Sequence, residues 1–90
     1  MRKQDEDRIL NTLPTINIKS TGENIKRLRE KKGISVVNLA KMLGITHIAI
    51  YIWQNGRAIP SVDNLVALSK IFGVSIEDIL VVEDGLQETV

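Results

Sequence analysis

Ninety residues make room for one domain with a modest core, and 43% apolar against 26% charged residues is an ordinary globular balance. Cysteine is absent and histidine occurs once, which excludes disulfides, thiolate metal sites and cysteine nucleophiles and leaves His47 unable to anchor a metal by itself. The net charge of +1 hides an asymmetry: Lys19 to Ile59 carries eight basic and two acidic residues, whereas Pro60 to Val90 carries one basic and six acidic, so only the first half suits a polyanion.

In chain order, residues 1–19 form a charged extension that runs through Leu13-Pro14 into Thr15-Ile16-Asn17-Ile18, whose alternation is compatible with a short strand. Ser20 with Glu23 makes an S-x-x-E capping box and predicts a first helix over about Glu23 to Lys32, with Ile25 and Leu28 inward. Ser35 caps a second helix from about Val36 to Leu43, and Thr46 a third from His47 to about Asn55. A fourth begins after Ser61 and puts Val62, Leu65, Leu68 and Phe72 on one stripe. Ser75 with Asp78 starts a short fifth, about Ile76 to Leu80. Of Gly22, Gly33, Gly44, Gly56 and Gly73, four follow an apolar-periodic stretch, as left-handed helix-ending residues do. Ile79 to Val82 is suited to a second strand, and Glu83 to Val90 reads as a frayed polar tail. The expectation is an all-α, compact five-helix domain over 20–82, with possible short terminal strands, between the extension 1–19 and the tail 83–90.

Val36 to Trp53 is the informative window. Ala40, Gly44, Ile45, Ile50 and Trp53 occupy its positions 5, 9, 10, 15 and 18. Two helices crossing steeply need a small residue at the first of these and a positive-φ glycine at the second. Apolar residues at the other three fill the joint, which specifies a helix-turn-helix.

Beyond this window the chain resembles the phage Cro/repressor class of helix-turn-helix domains, from Gly22 to Val81. Gly22-Glu23-Asn24-Ile25-Lys26-Arg27-Leu28-Arg29 is similar to that family's first helix. Gly33-Ile34-Ser35 with Leu39-Ala40-Lys41-Met42-Leu43-Gly44-Ile45 is similar to its second helix and turn. Trp53-Gln54-Asn55-Gly56-Arg57 and Pro60-Ser61 resemble the end of its recognition helix and the following loop. Leu65 to Phe72 and Gly73-Val74-Ser75-Ile76-Glu77-Asp78-Ile79-Leu80 resemble its last two helices. The resemblance implies duplex DNA as partner, a homodimer on two half-sites, and the third helix in the major groove. It implies a contact set of Thr46, His47, Ile48, Tyr51, Ile52, Asn55 and Arg57. Within it His47, Ile48 and Ile52 stand at base-reading positions.

Two departures bear on that implication. Where the family often carries a phosphate-touching glutamine at the start of the second helix, this chain has Val36. Where the family commonly reads bases with polar side chains, this chain has Ile48 and Ile52, which suit thymine methyl groups but cannot make bidentate contacts to guanine or adenine. The alternative for these isoleucines is packing under the N-terminal segment or a partner. Trp53 reads as a core wedge. Tyr51 and Arg57 either reach phosphates or are solvated, and the five cations of helix one are too widely spread for all to touch DNA.

The functional expectation is a transcriptional regulator, not an enzyme, without cofactor, metal or small-molecule ligand; no phosphate-binding loop motif or paired carboxylates occur. The other reading is a protein-interaction module, antitoxin-like or adaptor, that keeps the fold. No apolar run approaches the roughly 18–20 residues of a membrane span. Met1 to Leu10 also lacks a signal peptide's apolar centre, so the expected location is cytoplasmic.

Overall fold

Asn17 opens the first helix of the computed structural model, which describes residues 13–84. Its side-chain oxygen accepts the Ser20 amide at 2.9 Å, and α1 runs Ile18–Lys31. The helix therefore begins more than a turn before the expected start, and Ser20 and Glu23 lie inside it rather than capping it. The cause is tertiary. The Asn17 amide donates to the Val81 carbonyl at 2.8 Å, and its carboxamide nitrogen donates to the Glu83 carboxylate at 2.8 Å.

The other four helices start where hydroxyl caps predict. Ser35 accepts from the Asn38 amide at the head of α2 (Val36–Leu43), and Thr46 from that of Ala49 at the head of α3 (His47–Gln54). Ser61 accepts from Asn64 before α4 (Val62–Phe72). Ser75 and Asp78 form a reciprocal capping box on α5 (Ile76–Ile79).

The strands are shorter than the alternating pattern suggested. β1 (Thr15–Ile16) pairs antiparallel with β2 (Val82–Glu83), Thr15 opposite Glu83 and Ile16 opposite Val82. Ile18 has already entered α1, and Ile79 still belongs to α5. The segment before β2 is stitched to α1 by Thr21, a buried polar residue whose hydroxyl accepts the Val81 amide at 2.9 Å. Residues 1–12 and 85–90, which include most of the charged extension and of the tail, lie outside the described residues.

The core is aliphatic with two aromatics. Ile25 and Leu28 from α1 meet Val36, Leu39 and Ala40 from α2, Ile50 and Trp53 from α3, Leu65, Leu68 and Phe72 from α4, and Ile79 from α5. Val62 was expected on that stripe and is instead 73% exposed. At about 100° per residue, the first position of α4 points some 90° away from the arc centred on Leu65, Leu68 and Phe72.

Candidate nucleic-acid interface

The chain bends by 113° between α2 and α3. That lies within the roughly 90–120° of a helix-turn-helix joint. The joint uses the residues predicted for it. Gly44 takes φ +68° with open space around it, so conformation rather than crowding demands glycine there. Ala40 is buried and its carbonyl accepts the Ile45 amide at 3.0 Å, which closes the turn. Ile50 and Trp53 are buried behind it and Ile45 packs against the core from the side.

Burying Ile50 and Trp53 fixes which side of α3 is free. At about 100° per residue, positions 47, 48, 51, 52 and 55 fall within an arc of roughly 140°, opposite those two anchors. His47, Ile48, Tyr51, Ile52 and Asn55 are all exposed, with Ile48 at 59%, Tyr51 at 47% and Ile52 at 38%. Thr46 is exposed at one end of this face and Arg57 at the other. All seven residues of the expected contact set are thus exposed, five of them on one side of α3. His47 and Tyr51 stack edge to face on it, 6.3 Å between ring centroids at 90°.

The cations of α1 sort into different environments. Arg29 turns inward, donating from Nε to Gln54 Oε1 at 2.9 Å and from Nη1 to the Ile34 carbonyl at 2.8 Å, which ties α1 to the end of α3. Arg27 donates to Asn24 Oδ1, and Asn24 in turn donates to the carbonyls of Asp78 and Ile79 in α5. The Lys32 ammonium lies by Gly73, at the end of α4.

A family model described as helix-turn-helix matches residues 25–79, more than half of the chain. The chain belongs to the helix-turn-helix family of Cro/repressor type. One curated relative, an uncharacterized HTH-type transcriptional regulator of Methanocaldococcus jannaschii, is 35% identical over 60 residues, covering 67% of this chain and 91% of the relative. The crystal structure of the P22 c2 repressor protein in complex with a synthetic operator superposes with a TM-score of 0.63 at 37% identity, covering 67% of this chain and 91% of that one. Hydroxypropylphosphonic acid epoxidase from S. wedmorenis also superposes, with a TM-score of 0.65 at 24% identity, over 79% of this chain and 36% of that one. That last likeness is one of fold alone. Several longer curated relatives are matched over only 18–28% of their own length.

Within this helix-turn-helix frame, Val36 is a core residue, so the position expected to lack a phosphate contact has a packing role instead. Neither the Arg29–Gln54 hydrogen bond, nor the Asn24 bridge to α5, nor the Thr21 stitch to Val81 is foreshadowed by any local pattern. Each joins residues at least 25 positions apart, beyond the reach of helical periodicity. The described residues contain no group of three or more side chains able to hold a metal ion, and none of their helices alone is long and apolar enough to cross a membrane.

Proposed function

We propose that this helix-turn-helix domain is a cytoplasmic, sequence-preferring regulator of transcription that binds duplex DNA with α3 in the major groove. The observation that carries the reading is the free face of α3, five exposed side chains opposite Ile50 and Trp53, on the half of the chain that holds eight basic residues against two acidic. Phosphates supply the bulk of affinity in such complexes and base edges supply preference. In this reading His47, Ile48 and Ile52 meet base edges, while Thr46, Tyr51, Asn55 and Arg57 meet the backbone. Ile48 and Ile52 favour thymine, whose methyl group is the apolar feature of the groove. The DNA-binding unit is the expected domain over 20–82 together with the strand, cap and first helical residues that precede it, Thr15 to Lys19. Two copies act together, because one chain presents one reading helix and the family's operators have two half-sites.

Selection of bound fragments from random duplex DNA tests this directly. The expected product is a site with paired half-sites and thymines under α3, and replacing those thymines by deoxyuridine removes the methyl groups and weakens binding. Recovery of no enriched sequence contradicts the sequence preference.

One observation favours a second reading, a protein-interaction module. Ile48 is an exposed apolar side chain where the family commonly has a polar one. The two separate on purification: a DNA-binding protein elutes with nucleic acid and releases it in salt, whereas an adaptor does not.

A further inference from the structure

We propose that Lys19, in the first turn of α1, is a phosphate-binding residue that acts beside Arg57 at the C-terminal end of α3. This rests on the DNA-binding reading above.

Three observations carry it. First, α1 lies against the end of α3 with no room between the backbones. A Cβ built on Gly56 would sit 2.8 Å from Lys19 Cα, 3.2 Å from its Cβ and 3.5 Å from its Cγ. The stem of Lys19 therefore starts in contact with the glycine that precedes Arg57 and follows Asn55. Lys19, from before the helix-turn-helix, is thereby brought to the end of α3 where Gly56 and Arg57 follow it.

Second, both Lys19 and Arg57 are exposed, so their charged ends are available to a ligand. Gly56 holds φ +73°, and the Arg57 amide donates to the Ile52 carbonyl at 3.0 Å, which fixes where Arg57 leaves the helix. A stem held against Gly56 on one side and a fixed departure point on the other leave less freedom to lose when a phosphate binds between the two cations.

Third, Lys19 is misplaced for helix stability. It is the second residue of α1, whose first turn contains no acidic residue. The N-terminal end of a helix carries partial positive charge and disfavours a cation. A lysine that helps neither the core nor its own helix, and that stands beside the one arginine at the rim of the α3 face, is accounted for by an anion outside the protein. DNA phosphate is the anion that this face meets.

The test compares Lys19→Gln with Lys32→Gln. Each removes one charge, Lys19 from the first turn of α1 and Lys32 from the residue that caps its other end, where the ammonium lies 3.7 Å from a Cβ built on Gly73 at the end of α4. Binding to selected and scrambled duplexes is titrated across salt concentrations, with thermal melts of each variant. Lys19→Gln is expected to weaken both duplexes alike and to make the log–log salt slope shallower by about one unit. Its melting temperature stays the same or rises. Lys32→Gln leaves the slope within error of the parent. Equal slopes for the two variants overturn the proposal, as does a fall in melting temperature for Lys19→Gln large enough to explain the weaker binding. A parent protein that binds no duplex at low salt overturns the DNA-binding reading itself, whereas salt-dependent parent binding with an unchanged Lys19→Gln slope overturns this proposal alone.

Discussion

Ile52 and Trp53 are neighbours in sequence, yet one is 38% exposed and the other 6%. The contrast makes the pair a sharp test of how α3 is seated. Trp53→Ala leaves a large cavity among α1, α2 and α3, and is expected to cost about 3–5 kcal/mol, a large part of a small domain's stability. Ile52→Ala opens no cavity and is expected to cost far less. Thermal melts of the two variants check this, and equal losses would mean that Ile52 is core. Gly22 offers a second test at this scale. A Cβ there collides with the Trp53 carbonyl oxygen, which is backbone and cannot swing away. Gly22→Ala is therefore expected to destabilise by about 1–3 kcal/mol as an overpacking change, although alanine is the better helix former. A melting temperature equal to or above the parent's would show that α1 and α3 do not meet there. Much at this scale was legible beforehand: the joint residues Ala40, Gly44, Ile45, Ile50 and Trp53 follow from what a steep helix crossing requires. Arg29 was not legible, because a cation on an amphipathic helix looks solvated until its partner, Gln54, is known. Val62 misled for a different reason, since spacing alone does not say where the centre of a buried stripe lies.

At the scale of elements, local chemistry fixed four of the five helix starts and long-range bonding fixed the fifth. Ser35, Thr46, Ser61 and Ser75 cap with their own side chains, so the signal sits within three residues of each start. Asn17 also caps locally, but it competes with a plausible Ser20–Glu23 box, and its advantage comes from Val81 and Glu83 some 64–66 residues away. The same stitching predicts that the segment after α5 belongs to the fold. Thr21→Val keeps the shape of the side chain and removes the acceptor of the Val81 amide, leaving a part-buried donor unpaired. The expected cost is about 1–3 kcal/mol, with faster hydrogen exchange at the Val81 amide. Unchanged exchange at that amide would contradict the assignment. The terminal strands were half legible: alternation marked Thr15 and Ile16, while the end of each strand was set by the helix beside it.

Across the whole molecule, charge is segregated. The half from Lys19 to Ile59 holds eight of the twelve basic residues, and it also contains the free face of α3. Arg29, Arg27 and Lys32 are each placed against the protein itself, which leaves a smaller set for a ligand. If about four to six phosphates are neutralised per protomer, log affinity falls with log salt at a slope of roughly −4 to −5. Arg57→Ala is expected to weaken all duplexes alike and to flatten that slope by about one unit, as a backbone contact does. Sedimentation should show two protomers on a site with paired half-sites, and a single protomer both free and on DNA would contradict the dimer. The measurement that bears most directly on the central claim, that the α3 face reads duplex DNA, is an anisotropy titration of the parent and of Ile52→Ala against a selected duplex and its scrambled counterpart. The account predicts that Ile52→Ala loses about 1–3 kcal/mol on the selected duplex and almost nothing on the scrambled one, because it removes a base contact and no charge. An Ile52→Ala protein that keeps the full preference of the parent, while remaining folded, would contradict it.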